Sequence, residues 1–317
     1  MTDFQKIIDF NNMYKAYRKA KQGKGYKTSS VKFGIMALDG INKLIEQLKD
    51  KTYQISKYQE FKVYEPKERI IKTSSFKDKV VQHSLCDNVI LPKLKQVFIY
   101  DNCAGQKGKG TLFGLERLGE QMKLFYEKYG LNGYILKCDI SKFFYSIPHQ
   151  QLKDIVEYHF NYDKDICWLC NLFIDSTEGK GIPLGNQINQ GFALLYLDGM
   201  DKLITGELGI EFYGRYMDDI FVIGRSKAEL SVLLGDIKKQ LADLLLEVNE
   251  KKTHIVKLSH GFTWLQVKYQ VKPTGRILKM LSHGKIVRER RRLKAFRRML
   301  NKGQMTEDEI WNAYQSW

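Results

Sequence analysis

Residues 210–224, IEFYGRYMDDIFVIG, place two adjacent aspartates between two short apolar runs. Each run has the length and β-forming composition of a strand, and almost no turn separates them. A solvated turn is the usual interpretation of Asp218 and Asp219, but flanks without polar alternation are typical of a sheet interior. Adjacent carboxylates held there repel each other and resist desolvation unless a cation is shared between them. The stretch therefore indicates a buried hairpin with a cation site at its turn.

A second buried strand offers one more carboxylate. The stretch GYILKCDI (133–140) reaches Asp139 at its end and is predicted to lie beside the hairpin. Asp oxygens are hard ligands that suit Mg²⁺, and three carboxylates can hold two ions about 3.5–4 Å apart for in-line displacement. Asp198 and Asp201 also lie nearby in sequence, but their helical spacing among apolar residues predicts side chains that face solvent.

The charge balance favours a polyanionic partner. The 317 residues include 52 Lys and Arg against 36 Asp and Glu, a net charge of +16, and such self-repulsion is destabilising unless a polyanion offsets it. Nucleic acid is the first candidate and an anionic membrane the second, while a merely basic protein needs neither. No apolar run approaches the roughly 18–20 residues of a membrane span, and we expect no membrane partner.

Cysteine usage fits a reducing cytoplasm. The five cysteines are odd in number and lack a spaced framework. Cys167 and Cys170, in CWLC, are predicted to be buried core thiols because no second pair stands near enough to complete a zinc site.

The order of elements is continuous, without an internal repeat, low-complexity tract or Pro/Gly-rich linker. Periodicity predicts helices over 2–21, 35–50, 76–96, 149–160, 164–175 and 226–246, one that ends near 128 and one that ends near 206. It predicts strands over 133–140, 253–258 and 261–271, and a hairpin over 59–75 that turns at Glu65–Pro66–Lys67–Glu68. The tail 283–303 is predicted to be an amphipathic helix whose dense basic face contacts phosphates rather than solvent alone.

The motif YMDD between apolar strands, preceded by LKCDISKFFYSI, resembles the palm of a reverse transcriptase, and the order of parts agrees from about residue 10 onward. The stretches VYEPKERIIKTSSFKDKVVQHSLCDNVILPKL, GKGT and GIPLGNQINQGFALLYLDGMD are most similar to the bacterial group II intron-like enzymes, especially those of diversity-generating retroelements and their defence-associated relatives. The resemblance implies an α+β right-hand polymerase fold. Its expected parts are fingers over 1–130 with the hairpin 59–75, a palm over 131–260 with a fingers insertion over 149–190, and a primer grip and basic thumb over 261–317.

The resemblance also implies a metal site. Asp139, Asp218 and Asp219 resemble the metal-binding carboxylates, and the Ile140 carbonyl is a further ligand. Two Mg²⁺ ions are expected, and Asp139 and Asp218 should each bind both of them, with Asp219 more peripheral. Mn²⁺ can substitute for Mg²⁺. Lys252, in VNEKKT, fits the lysine that protonates pyrophosphate, with Lys251 as its rival.

Further residues match the nucleotide site of the family. Arg69 and Lys107 match basic residues that grip the incoming triphosphate. Phe144 matches the bulky side chain that rejects a 2′-hydroxyl, which implies DNA synthesis, and Phe143 beside it is expected in the core. Leu184 stands where many reverse transcriptases carry a glutamine, a replacement typical of the diversity-generating group that puts fidelity in doubt. Gln266 replaces a glycine of the primer-grip turn, which leaves that turn's geometry open.

The resemblance implies RNA-directed DNA polymerisation. The enzyme is expected in the cytoplasm and to be encoded by a bacterium or a phage. Its partners are a structured noncoding or template-repeat RNA, a DNA or RNA primer, dNTPs, and an accessory protein or second copy of the chain. The first alternative is a phage-defence reverse transcriptase that makes untemplated or simple-repeat DNA with a noncoding RNA. The second is a catalytically silent RNA-binding protein on the same scaffold.

Overall fold

The strand that ends at Asp139 lies inside an antiparallel sheet. The computed structural model describes residues 1–64 and 68–315. Its strands are β1 (Gln59–Val63), β2 (Arg69–Thr73), β3 (Tyr134–Asp139), β4 (Tyr213–Tyr216), β5 (Asp219–Gly224), β6 (His254–Lys257), β7 (Phe262–Trp264), β8 (Val267–Val271) and β9 (Ile277–Leu281). The central sheet has the order β4-β5-β3-β6, the hairpin pairs β1 with β2, and a third sheet has the order β7-β8-β9.

Both faces of the central sheet are covered, which explains why its strands lack polar alternation. Leu136 and Ile220 point into the larger core cluster, which also holds Phe143 as predicted. Ile135 and Phe221 point into a second cluster around the third sheet. Cys167 and Cys170 are both buried in the larger cluster as free thiols, so the prediction of core cysteines is confirmed.

Helices supply most of the remaining structure. They are α1 (Asp3–Ile8), α2 (Phe10–Lys21), α3 (Thr28–Ile35), α4 (Ala37–Lys49), α5 (Phe76–Leu85), α6 (Leu91–Val97), α7 (Thr111–Tyr129), α8 (Phe143–Ser146), α9 (His149–Phe160), α10 (Lys164–Ile174), α11 (Gln187–Tyr196), α12 (Asp198–Lys202), α13 (Lys227–Asp243), α14 (His283–Asn301) and α15 (Glu307–Gln315). Two π-helical segments, Cys86–Ile90 and Leu203–Glu207, follow α5 and α12. No helix within the described ranges is both long enough and apolar enough to cross a bilayer.

The N-terminal helices differ from the prediction. The helix expected over 2–21 is divided at Asp9, whose carboxylate accepts a hydrogen bond from the Asn12 N–H and caps α2. Much of the expected loop between helices is itself helical, because α3 begins at Thr28. The short edge strand β9 and the last helix α15 were not predicted.

The hairpin predicted over 59–75 is present. Val63 pairs with Arg69, while Glu65, Pro66 and Lys67 of the predicted turn lie outside the described residues. A second tight turn, expected to act as a primer grip, connects Trp264 to Val267 through Leu265 and Gln266, whose φ values are 44° and 68°.

Two positive φ values give the Trp264–Val267 turn the twist favoured in tight hairpins, although neither residue is a glycine. The Gln266 carbonyl accepts a hydrogen bond from the Ser282 N–H at 3.1 Å, and its side-chain oxygen accepts one from Arg288 at 3.1 Å. These bonds to the start of α14 hold Gln266 at a positive φ, a backbone conformation that glycine adopts more readily than other residues.

Candidate active site

Asp139 and Asp219 lie opposite each other on neighbouring strands. The antiparallel register of β3 and β5 pairs Asp139 with Asp219, and directly paired residues have Cα atoms about 4.5–5.5 Å apart. Tyr216 of β4 also pairs with Asp219, so Met217 and Asp218 form a two-residue turn, here called the aspartate turn. The three aspartates predicted to share a site therefore meet at one end of the central sheet.

The loop before β6 holds the Asp139 carboxylate. Lys252 Nζ lies 2.7 and 2.8 Å from the two carboxylate oxygens, and Asn249 Nδ2 donates to Oδ2 at 3.1 Å. The Asn249 N–H also donates to the Asp139 carbonyl at 2.7 Å, which fixes the loop to the strand. The structure thus brings Lys252 to Asp139, while its rival Lys251 forms no ion pair with any residue that the structure describes.

Crowding and burial raise the pKa values of both aspartates in the hairpin. Burial and the neighbouring charge of Asp219 raise the pKa of Asp218 to about 6. Burial also raises the pKa of Asp219, against the opposing effect of Lys137, whose Nζ lies 3.7 Å from Oδ1. Because ionised carboxylates are disfavoured here, the site is complementary to an added positive charge.

The types of donor atom suit the expected divalent cations, but the side chains are not arranged as a metal cluster in the described residues. Asp139 is already neutralised by Lys252, but within the described ranges Asp218 forms no ion pair with a lysine or arginine. The oxygens of the three carboxylates and the main-chain carbonyl of Ile140, which is buried beside Asp139, are ligands of the kind that Mg²⁺ prefers. In residues 1–64 and 68–315, no three His, Cys, Asp or Glu side chains are arranged as a metal cluster, and both Asp139 oxygens face Lys252.

Two aspartates predicted to face solvent are buried instead. Asp201 has no exposed surface and Asp198 has 2%. Arg215 of β4, also fully buried, donates Nε to Asp201 Oδ1 at 2.7 Å, and the Tyr213 hydroxyl donates to the same carboxylate. Asp198 is paired with Lys202 at 2.5 Å. The prediction was wrong because a partner from a distant strand neutralises Asp201 inside the core, which spacing along one helix cannot reveal.

Arg215 also contacts the aspartate turn. Its Nη1 donates to the Met217 carbonyl at 3.1 Å. Met217 has a φ of 54°, and a non-glycine residue in that region carries about 1–3 kcal/mol of strain that its surroundings must sustain. The Arg215 carbonyl in turn accepts a hydrogen bond from the Cys103 N–H at 2.8 Å. This bond ties the glycine-rich loop CAGQKGKGT (103–111) to β4.

The glycine-rich loop that carries Lys107 lies against the same turn. Gly105 has a φ of 65°, and a Cβ at this position would lie 2.6 Å from Leu194 Cδ1 and 3.8 Å from Met217 Cε. Lys107 is exposed, whereas the Lys109 ammonium donates to the main-chain carbonyls of Tyr100 and Asn102, just before the loop. Of these two lysines, Lys107 is the one open to a solute.

Main-chain hydrogen bonds join the other predicted nucleotide residues. The Ile182 N–H donates to the Phe144 carbonyl at 2.8 Å, and the Lys72 N–H donates to the Leu184 carbonyl at 3.1 Å. Arg69 begins β2, three residues before Lys72, and its side chain is exposed. The segment 182–184 therefore connects Phe144 to strand β2, which carries Arg69. Phe144, Leu184 and β2 are here called the wall.

Sequence reasoning missed Arg215, Lys137 and Asn249. The first two carried a usable signal, because a cation inside a run predicted to be buried requires a counter-charge. Arg215 has Asp201 and Lys137 has Asp219. Asn249 carried no such signal, since its contact depends on how its loop folds.

Comparison with known proteins identifies the family. Residues 38–269 match the family described as reverse transcriptase (RNA-dependent DNA polymerase). No curated protein sequence matches the chain.

Among solved structures, the chain is similar to apo telomerase from Candida tropicalis truncated from its C-terminal domain. Identity is 15% and the TM-score 0.55, over 74% of this chain and 58% of that chain. It is also similar to telomerase from Candida albicans in complex with a TWJ fragment of telomeric RNA, with 12% identity and a TM-score of 0.54, over 73% of this chain and 46% of that chain.

The chain spans about half the length of these telomerase structures, and at such identity the likeness concerns the fold alone. The predicted α+β polymerase fold, with antiparallel sheets among helices, is confirmed. Because the family match covers most of the sequence, the chain belongs to the reverse transcriptase (RNA-dependent DNA polymerase) family.

Proposed function

We propose that this protein is an RNA-directed DNA polymerase that copies an RNA template from a primer end with dNTPs. The observation that carries the proposal is the register of β3 and β5, which pairs Asp139 with Asp219 beside the strained turn that holds Asp218. Carboxylates placed this way, with raised pKa values, suit two divalent cations, for which we propose Mg²⁺ with Mn²⁺ as a substitute.

Asp139 and Asp218 would hold both ions, with Asp219 and the Ile140 carbonyl as further ligands. When bound, the ions would lower the pKa of the primer 3′-hydroxyl and neutralise the leaving pyrophosphate. Lys252 Nζ, 2.7 Å from Asp139, is within the site and is proposed to donate a proton to pyrophosphate.

The wall of the site would bind the nucleotide. Arg69 and Lys107, both exposed, are proposed to bind the triphosphate, and positive-φ glycines beside Lys107 allow main-chain N–H groups to approach a phosphate. Phe144 is proposed to exclude the 2′-hydroxyl. Leu184 would line the pocket without the hydrogen bond that a glutamine side chain would supply.

The substitution Asp218→Asn tests the proposed activity. It should abolish extension of oligo(dT) on poly(rA) with Mg²⁺, because the turn loses a charged ligand while RNA binding persists. The matched control is Asp236→Asn, which removes an exposed carboxylate from α13 and should extend primers as the wild type does. Normal extension by the Asp218 variant would overturn the site assignment. A wild type that binds RNA but never extends primers would favour the silent RNA-binding protein.

We further propose the diversity-generating type of reverse transcriptase, working with a template-repeat RNA and an accessory protein in the cytoplasm. An aliphatic Leu184 supports this type, and Leu184→Gln should lower the misincorporation rate measured by product sequencing. An unchanged error spectrum would remove this support. The alternative is a defence enzyme that makes untemplated or simple-repeat DNA with a noncoding RNA. A homopolymer or repeat product that persists after RNase pretreatment would favour it.

A further inference from the structure

A long N-terminal segment carries cations without acids. Residues 10–38 contain no Asp or Glu, although the chain has 36 of them. The segment covers α2, α3 and the loop between them. Its seven Lys and Arg residues are Lys15, Arg18, Lys19, Lys21, Lys24, Lys27 and Lys32.

Part of this charge surrounds a groove at the end of α2. Tyr14, Arg18 and Lys21 line a groove of about 650 Å³. The Lys24 N–H donates to the Lys21 carbonyl at 2.9 Å, and the Lys27 N–H donates to the Lys24 carbonyl at 3.1 Å. A Cβ at Gly25 would lie 3.5 Å from Lys21 Cε, so the loop lies against the Lys21 side chain, which lines the groove.

A lysine from another helix joins the cluster. α2 and α3 both pack against α5, and the pKa of Lys79 on α5 is lowered by burial and by the charges of Lys24 and Lys27. Lys79 therefore lies close enough to Lys24 and Lys27 for their charges to act on it.

The cluster is not neutralised from within. Over the described part of the chain, Lys19 pairs with Asp87 at 2.6 Å, but Arg18, Lys21, Lys24, Lys27 and Lys79 form no ion pair. Like charges gathered without a counter-ion are destabilising unless a polyanion binds.

We propose that the groove and its rim, formed by Tyr14, Arg18, Lys21, Lys24, Lys27 and Lys79 and here called the α2–α5 surface, bind a single-stranded segment of RNA. The unpaired cations would contact phosphates, and the rings of Tyr14 and Tyr26, 38% and 81% exposed, offer platforms for unstacked bases. A groove admits a strand and not a planar bilayer, which favours RNA over a membrane. The choice of RNA rests on the proposed function, but the binding itself requires no catalysis.

The test uses the full-length triple variant Lys21→Gln/Lys24→Gln/Lys27→Gln. The matched control is the triple variant Lys123→Gln/Lys227→Gln/Lys239→Gln. It removes three exposed lysines from α7 and α13. Fluorescence anisotropy with labelled oligo(rA), without dNTPs, gives the Kd across a salt series. The surface variant should bind about tenfold or more weakly than the control, and its salt slope should fall by about 2, since each single-strand phosphate contact contributes about 0.7. Tyr26→Ala should weaken binding by about tenfold with an unchanged salt slope.

Thermal unfolding of each variant checks folding, and extension of poly(rA)/oligo(dT) at saturating substrate should continue at the wild-type rate. Equal Kd values and salt slopes for the surface and control triples would overturn the proposal. Loss of binding to anionic phosphatidylglycerol vesicles with unchanged RNA binding would overturn it in favour of a membrane. Failure of the wild type to extend primers would refute the proposed function but leave this binding result intact.

Discussion

Arg215 and Asp201 form a fully buried ion pair that links α12 to the aspartate turn. Neither side chain has exposed surface, and the guanidinium contacts both carboxylate oxygens. The same guanidinium donates to the Met217 carbonyl. A single side chain therefore connects a buried acid of the helical layer to the main chain next to Asp218.

Arg215→Lys should separate positioning from folding. A lysine keeps the buried charge but cannot bond Asp201 and the Met217 carbonyl together, so we expect kcat for primer extension to fall at least tenfold with unchanged RNA affinity. Tyr213→Phe, the control, removes one hydrogen bond from Asp201 and should cost about 1 kcal/mol of stability without changing kcat. Equal kcat for both variants would contradict a positioning role.

Asp218→Asn should stabilise the protein when divalent ions are chelated. The folded pKa of about 6 lies above the ordinary value of 3.8, so ionisation destabilises the folded state as pH rises through this window. Removing the charge should raise the free energy of unfolding at pH 7 by on the order of 2 kcal/mol. Urea unfolding in EDTA measures this, and most of the gain should be lost at pH 3.5, where this aspartate is protonated in the folded state and largely protonated in the unfolded state.

Gly105→Ala should impair the aspartate turn. The added Cβ would lie 2.6 Å from Leu194 Cδ1 and near Met217, at a φ of 65°, so both a clash and strain arise. Gly130→Ala is the control, because Gly130, at the end of α7, has a φ of 74° but open space around it. We expect strain of about 1 kcal/mol from either, and a further loss of stability and primer extension from Gly105→Ala alone.

His159 should make stability depend on pH. Burial, with Lys202 and Lys93 nearby, lowers its pKa to about 4 from 6.5. Between these values the unfolded chain binds more protons, so the free energy of unfolding should rise with pH, by on the order of 2 kcal/mol from this group. In urea titrations, His159→Gln should flatten the profile between pH 4 and 6.5. A control at the exposed His283, His283→Gln, should follow the wild type.

Phe144→Ala should relax sugar discrimination. If Phe144 lies beneath the nucleotide sugar, its removal opens space for a 2′-hydroxyl, and incorporation of rNTPs relative to dNTPs should rise at least tenfold by kcat/KM. Phe143→Leu, in the core, is the control and should alter stability without changing the ratio. An unchanged ratio for Phe144→Ala would remove this residue from the nucleotide site.

Short-range patterns were sufficient to predict the strands that carry Asp139, Asp218 and Asp219. Burial on both faces leaves a continuous apolar run, and a tight turn with two charges marks where the hairpin reverses. The first hairpin and the helix over 149–160 follow from the same local rules, and both are present.

The sequence by itself determined the family and the strands that carry the three aspartates proposed as metal ligands. Only the tertiary structure decided that Asp201 is buried, that Arg215 reaches Met217, and that Lys252 rather than Lys251 contacts Asp139. The reason is physical: periodicity reports whether a side chain points inward, but its charge partner comes from a segment distant along the chain. Whether burial of a charge is tolerated depends on that partner, which only the folded arrangement supplies.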